Sequence, residues 1–169
     1  MNDDETYLFH QTPNELARDL INIVPLENGD SVLEPFRGES AFYNNLPTYV
    51  NKDWAEIKQG RDYKTIQGNF DWVITNPPFR LENEDKTREN AFWKILKFYL
   101  GRVNKGIALL GNDYCLCTLT PNRLTEMKKL GFSIQKIVCC NVKKWRGRYF
   151  FIIIEKKPES LYSHLTKNY

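Results

Sequence analysis

An apolar run that ends in two consecutive prolines constrains this chain more than anything else in it. Asp71-Trp72-Val73-Ile74-Thr75 is followed at once by Asn76-Pro77-Pro78-Phe79. The run is rich in β-branched and aromatic side chains and reads as a short buried strand. The prolines then forbid both its continuation and an immediate helix, because they lack the ladder N–H and their rings keep Asn76 and Pro77, the residues before them, out of the helical region. The tetrapeptide therefore stands at a strand's carboxyl end, which is where open α/β sheets place their ligands. Its own chemistry is selective. The Asn76 side-chain oxygen and a proline carbonyl can accept hydrogens from a planar amine, while Phe79 offers a stacking face.

On both sides of this point the chain alternates strand-like and helix-like segments, the pattern of an α/β fold. Thr12-Pro13-Asn14-Glu15 reads as a capping box with proline at the first helical position. Leu16, Ala17, Leu20, Ile21 and Val24 then follow at helical spacing, so a helix is expected to about Val24. Gln11 and Thr12 at its start serve either as an anion site through free backbone amides or as plain capping. Ser31 to Pro35 reads as a strand, Phe36-Arg37-Gly38-Glu39-Ser40 as a loop, and Ala41 to Leu46 as a short helix ended by Pro47. Strand, glycine-containing loop and helix form a cofactor-binding arrangement, since the glycine lets a ligand approach the backbone. Thr48 to Asn51 reads as the next strand, closing on Lys52-Asp53-Trp54. Asp53 stands about twenty residues beyond the first strand, where such folds place an acid on ribose hydroxyls. Trp54 could cover a base.

Residues 80–90 are almost wholly polar and predict a mobile loop at the mouth of the site. Ala91, Phe92, Ile95, Leu96, Tyr99 and Leu100 mark an amphipathic helix that stops at Gly101. Gly106 to Gly111 reads as a buried strand, and Thr120-Pro121 opens a helix through Leu124, Met127 and Leu130 that Gly131 closes. Phe132 to Val142 and Tyr149 to Glu155 predict two last strands, antiparallel because the tip between them is too short for a crossover helix. That tip, Lys143-Lys144-Trp145-Arg146-Gly147-Arg148, suits a phosphate backbone with an unstacked base, or equally a solvated turn that blocks edge-to-edge aggregation.

At 169 residues the chain has room for one domain with a real core. Hydrophobic residues make up 41% and charged residues 27%, and no apolar run approaches the roughly 20 residues of a membrane helix. A soluble protein is expected. The acidic start, Met1-Asn2-Asp3-Asp4-Glu5, does not read as a leader, so the expected location is cytoplasmic. Cys115, Cys117, Cys139 and Cys140 lack the spacing of a zinc knuckle and read as small apolar filler, with no metal. A net charge of +3 does not by itself establish a nucleic-acid partner, but Lys128, Lys129, Lys136 and the cationic tip crowd the last third.

Asn76-Pro77-Pro78-Phe79 resembles motif IV, [DNS]-P-P-[FYW], of the amino-group methyltransferases that use S-adenosylmethionine. Glu34-Pro35-Phe36-Arg37-Gly38-Glu39-Ser40 is similar to their motif I, [DE]-P-F-x-G-x-G, with Ser40 in place of the last glycine. Gly60-Arg61-Asp62-Tyr63 looks like motif III, in which an acid accepts the adenine amino hydrogen. In this order the motifs resemble an adenine-N6 DNA methyltransferase. The resemblance implies a Rossmann-like class I methyltransferase fold, α/β with a mostly parallel sheet and a C-terminal antiparallel hairpin. It also implies a single domain over residues 1–169 without a separate target-recognition domain. S-adenosylmethionine would be held by Gln11, Thr12, Pro13, Glu34, Pro35, Phe36, Gly38, Asp53, Trp54, Asp62, Tyr63 and Asn76. Asn76, Pro77, Pro78 and Phe79 would carry catalysis. Phe79, Lys143, Lys144, Trp145, Arg146 and Arg148 would hold substrate. DNA adenine ranks first as that substrate, an RNA base second, and a protein glutamine amide third. The rival is a non-catalytic subunit that binds cofactor or nucleic acid, for which Ser40 is the best argument.

Overall fold

The computed structural model describes residues 11–82, 88–143, 145 and 147–162. In chain order the elements are α1 (Asn14–Ile21), β1 (Ser31–Glu34), α2 (Ala41–Asn45), β2 (Asn51–Trp54), β3 (Phe70–Thr75), β4 (Arg80–Glu82) and β5 (Arg88–Asn90). There follow α3 (Ala91–Leu100), β6 (Val103–Asn112), α4 (Asp113–Cys117), α5 (Pro121–Lys129), β7 (Ser133–Cys140) and β8 (Tyr149–Glu155). Six strands join in one sheet of order β2-β1-β3-β6-β8-β7. The first four run parallel, β8 runs antiparallel to β6, and β7 antiparallel to β8. The expected Rossmann-like sheet with a C-terminal antiparallel hairpin is therefore present.

Successive strand residues face opposite sides of a sheet, so a strand covered on both faces must be apolar throughout. On β3, Trp72 and Ile74 pack with α1 and α2, through Ala17, Leu20 and Phe42. Val73 packs on the other face with α3, through Phe92, Ile95 and Leu96. The same division holds on β6, where Ala108 and Leu110 face the first layer and Ile107 and Leu109 the second. The result is a three-layer sandwich. Its amino edge is fixed by polar contacts: the Asp71 carboxylate accepts from the Ser31 backbone and hydroxyl, each at 2.9 Å, and from Asn104 at 3.1 Å. Those bonds, the Ser31 backbone foremost, hold the Asp71 carboxyl below the usual range.

From β1 the chain steps outward to β2, then returns to the other side of β1 as β3. That reversal separates the loops leaving β1 and β3 and opens a crevice at their carboxyl ends, where Glu34 and Thr75 stand.

Several boundaries differ from expectation. Helix α1 ends at Ile21, and Val24 continues into the core through a turn in which its N–H donates to Ile21. Strand β2 begins at Asn51, since Thr48 and Tyr49 are spent in an exposed turn. The polar stretch is not simply a loop: β4 and β5 pair antiparallel, Arg80 opposite Asn90, while residues 83–87 lie outside the described part. Helix α4 had no periodic signal, and it folds back on β6 because Gly111 leaves space where a Cβ would stand 2.6 Å from the Cys115 sulfur. Cys115 and Cys140 are buried as filler, whereas Cys117 and Cys139 are exposed. The acidic start lies outside the described residues. Among the described residues no helix is long and apolar enough to cross a membrane.

Candidate active site

Both loops of the crevice are pinned by bonds that cross long stretches of sequence. After β1, the Arg37 N–H donates to Ala55 at 3.0 Å and the Ala55 N–H donates to Glu34 at 2.9 Å, tying the loop to the end of β2. The Gly38 N–H donates to the Glu56 carboxylate at 2.8 Å. Glu56 was missed in the sequence because nothing local distinguishes it. It acts through a bridge to Arg61 that returns the chain beneath the loop.

Ser40, the departure from motif I, has φ 69° and ψ 25°, the left-handed conformation that favours glycine. The surrounding bonds impose that geometry: its N–H donates to Arg37 at 2.7 Å and its carbonyl accepts from Asn44 at 2.9 Å. The loop thus keeps a glycine-type path at the expense of strain. Ser40→Gly is expected to stabilise the fold by about 0.5–1 kcal/mol, the relief of strain being partly offset by the greater freedom of unfolded glycine. A thermal midpoint about 1–4 °C higher checks it; a lower midpoint would contradict the strain.

The segment before α1 does not cap it as a capping box. Pro13 occupies the cap position without a side-chain bond, and its carbonyl accepts from Ala17 at 2.9 Å. Gln11 and Thr12 instead reach the two loops. The Gln11 Oε1 accepts from the Glu39 N–H at 3.3 Å, and the Thr12 hydroxyl accepts from Asn76 Nδ2 at 3.2 Å. That second bond orients the Asn76 amide. Its nitrogen is directed at Thr12, so Oδ1 is the opposite end, and with two lone pairs it keeps acceptor capacity.

Gln11, Thr12, Glu34, Phe36, Arg37 and Asn76 together line a narrow cleft. Glu34 is almost fully buried, at 2% exposure. Burial pushes its carboxyl up to about 8, with Glu56 adding to the rise, while the Tyr43 N–H at 2.7 Å and Arg37 pull it down. Phe36 packs at a tilt on Tyr63, ring centres 4.9 Å apart, and Tyr63 belongs to the α3-side core with Phe98 and Tyr99. Tyr63 is thus a floor for the loop, not an exposed ligand contact. Asp62 caps its own turn by accepting from the Lys64 N–H at 3.0 Å.

Beyond Arg37 the picture departs further from expectation. Asp53 is paired with both Arg61 guanidinium nitrogens, at 2.8 and 3.0 Å. Trp54 carries the Arg37 guanidinium over its ring at 3.6 Å, and Arg61 lies 5.0 Å from the same ring. The two groups expected to receive a nucleoside therefore already hold cations of the chain. Arg37 also donates to Gln59, and its buried Nε has no partner among the described residues.

On the other side of Asn76, Pro77 is buried and Pro78 half-buried. The Phe79 carbonyl accepts from Ala91 at 3.1 Å, fastening the motif to α3. Sheet register brings the basic tip to this same edge: Thr75 pairs Leu109, and three residues on Asn112 pairs Tyr149 at the start of β8. Phe79, Tyr149 and Trp145 make an aromatic row, with ring centres 6.4 and 4.4 Å apart. Trp145 is half-buried on Tyr149, not splayed into solvent; burial pushes the Tyr149 hydroxyl up. Lys143 and Arg148 are exposed, while Lys144 and Arg146 lie outside the described residues.

No family model and no curated protein matches this chain. Solved structures do. A Listeria monocytogenes structure described as a class I S-adenosylmethionine-dependent methyltransferase aligns with a TM-score of 0.61 and 13% identity, over 85% of this chain and 59% of its own. A Pyrococcus furiosus methyltransferase aligns at 0.57 and 18%, over 88% of this chain and 87% of its own. A modification subunit of a type I restriction enzyme from Vibrio vulnificus aligns at 0.61 and 15%, over 91% of this chain and 46% of its own. The fold is that of the class I methyltransferases. Against the Listeria and Vibrio proteins this class I methyltransferase fold spans only about half to three-fifths of the length. The crevice of the fold coincides with the cleft that Glu34 and Asn76 line.

Proposed function

We propose that the chain is an S-adenosylmethionine-dependent N-methyltransferase acting on the exocyclic amino group of a nucleic-acid base, adenine N6 of DNA first. The observation that carries this reading is Asn76, held by Thr12 with its amide oriented, between a cleft and an aromatic row at the fold's crevice. The donor set suits the cofactor. The buried Arg37 Nε, without a partner among the described residues, is a donor for a carboxylate, and buried Glu34 is an acceptor for an ammonium beside it. The cleft is nearly closed as it stands, with about 10 Å³ of room for water-sized groups, far below the ~300–1,000 Å³ of small-molecule sites. A nucleoside moiety would enlarge it by displacing Arg37 from Trp54, and Asp53 would exchange Arg61 for the ribose.

When bound, S-adenosylmethionine supplies an electrophilic methyl group on a sulfonium. The chain's part is placement. Asn76 Oδ1 and the Pro77 carbonyl accept the two amine hydrogens and hold the lone pair out of conjugation with the ring, and the prolines keep those acceptors rigid. Phe79 presses on the base face, with Tyr149 and Trp145 behind it. Lys143 and Arg148 on the same edge suit a phosphate backbone. A duplex adenine must first leave the stack, at about a few kcal/mol. A restriction-enzyme modification subunit among the neighbours supports DNA as the first substrate to test. Target selection would come from outside this sandwich, and the location would be the cytoplasm.

The test is tritiated methyl transfer from S-adenosylmethionine to DNA, RNA and protein pools. Label in DNA that nuclease digestion yields as N6-methyladenine is the expected result. Label confined to RNA or protein would move the substrate. Label in none of them would replace the enzyme with a cofactor-binding subunit.

A further inference from the structure

Glu34 combines three properties that a purely structural carboxylate does not need together: it is buried, it lines the cleft, and among the described residues no cation is committed to it. Its Oε2 accepts the Tyr43 N–H of α2. Among the described residues the charged groups around it are Arg37 on its own loop and Glu56 from the segment after β2. Arg37 is drawn off to Trp54 and Gln59, Glu56 is of like sign, and Lys52 is spent on the Tyr43 carbonyl at 3.2 Å. The facing walls Gln11, Thr12 and Asn76 are neutral. A carboxyl group out of water with no paired cation stays protonated.

Resting on the methyl-donor reading, we propose that Glu34 is the proton-exchanging counter-ion of the cofactor's α-amino group, releasing its proton as the ammonium docks beside it. The Glu34 O–H bond breaks heterolytically and the proton passes to buffer. The electron pair stays on the carboxylate, which then faces the ammonium. Arg37 Nε receives the α-carboxylate of the same group, so the cleft reads a zwitterion by one donor and one acceptor. Binding and deprotonation become a single event.

Affinity must then rise with pH, about tenfold per unit between pH 6 and 7 for one proton released. This window lies below the titration of an α-amino group at about 7.7–8.0, so the ligand keeps its charge. S-adenosylhomocysteine is the probe, since it carries the same amino-acid group and does not react. Calorimetry of the full chain at pH 6.5 in two buffers of different ionisation enthalpy is expected to give close to one proton released per ligand. Adenosine, which lacks the amino acid, is expected to release none. Glu34→Gln, which keeps the shape and the Tyr43 contact, is expected to bind with an affinity independent of pH. Equal heats in both buffers for the unmodified protein would overturn the Glu34 role and leave the cofactor reading intact, even if the variant failed to fold. No binding of S-adenosylhomocysteine at any pH would overturn both.

Discussion

Asn76→Ala is expected to cut methyl transfer by about 100- to 1,000-fold, the usual effect of removing one oriented polar group from a site of developing charge. Binding of S-adenosylhomocysteine should change less than tenfold, because Asn76 is one of several residues on the cleft wall and leaves Glu34 and Arg37 in place. An effect of that size requires the amide to be oriented before substrate arrives. Its Nδ2 donates to the Thr12 hydroxyl, 64 residues away in the chain, and Thr12 is placed by the segment that also meets Glu39 through Gln11. Removing the hydroxyl with Thr12→Val should therefore lower turnover by a smaller factor and leave KM little changed, since Oδ1 survives but swings. The measurement is kcat and KM for both variants on a methylated-base assay. Asn76→Ala turning over within threefold of the unmodified protein would exclude it as the acceptor of amine hydrogens.

The elements that could be read from the sequence are those whose signal is local. The β3 run into Pro77 and Pro78, the stripe from Ala91 to Leu100, and the Tyr149–Glu155 strand each carry their periodicity within ten residues, and each is found where expected. That the sheet is mostly parallel followed from the same alternation, because parallel strands need crossover connections, whereas the order of its strands had no local signal. Side-chain pairing across the crevice had no such signal. Asp53 has the spacing of a ribose acid, yet which partner it holds depends on a bridge between Glu56 and Arg61 that no periodicity records. Arg37 reads as a loop residue until the ends of β1 and β2 are brought side by side, when it covers Trp54. Tyr63 looked like a ligand contact by its neighbour Asp62 and became core because α3 packs Phe98 and Tyr99 against it. Ser40 shows the converse: the sequence broke the glycine pattern, and the loop held the glycine conformation regardless.

A single methyl group in the middle of the sheet is expected to cost more stability than any surface change. At Gly106, in register with Trp72 on β3 and Glu155 on β8, an added Cβ would lie 2.5 Å from the Trp72 ring and 2.6 Å from the Ile154 carbonyl oxygen. Trp72 is 1% exposed and buttressed by the α1 and α2 layer, so the indole has nowhere to turn. The carbonyl is part of the β6–β8 ladder and cannot move without breaking it. Gly106→Ala should therefore destabilise by about 3 kcal/mol or slightly more, the upper range for overpacking a well-filled core. For a chain of this length that lowers the thermal midpoint by roughly 6–12 °C. Gly101→Ala is the matched control: it ends α3 with no heavy atom within 4 Å of its would-be Cβ, and should shift the midpoint by less than about 2 °C. Adding Trp72→Leu to Gly106→Ala separates the two contacts, because it removes the ring and leaves the carbonyl. Part of the loss should remain. Equal midpoints for Gly106→Ala and Gly101→Ala would mean that β3, β6 and β8 do not meet in this register, and the crevice that depends on their alignment would have to be redrawn.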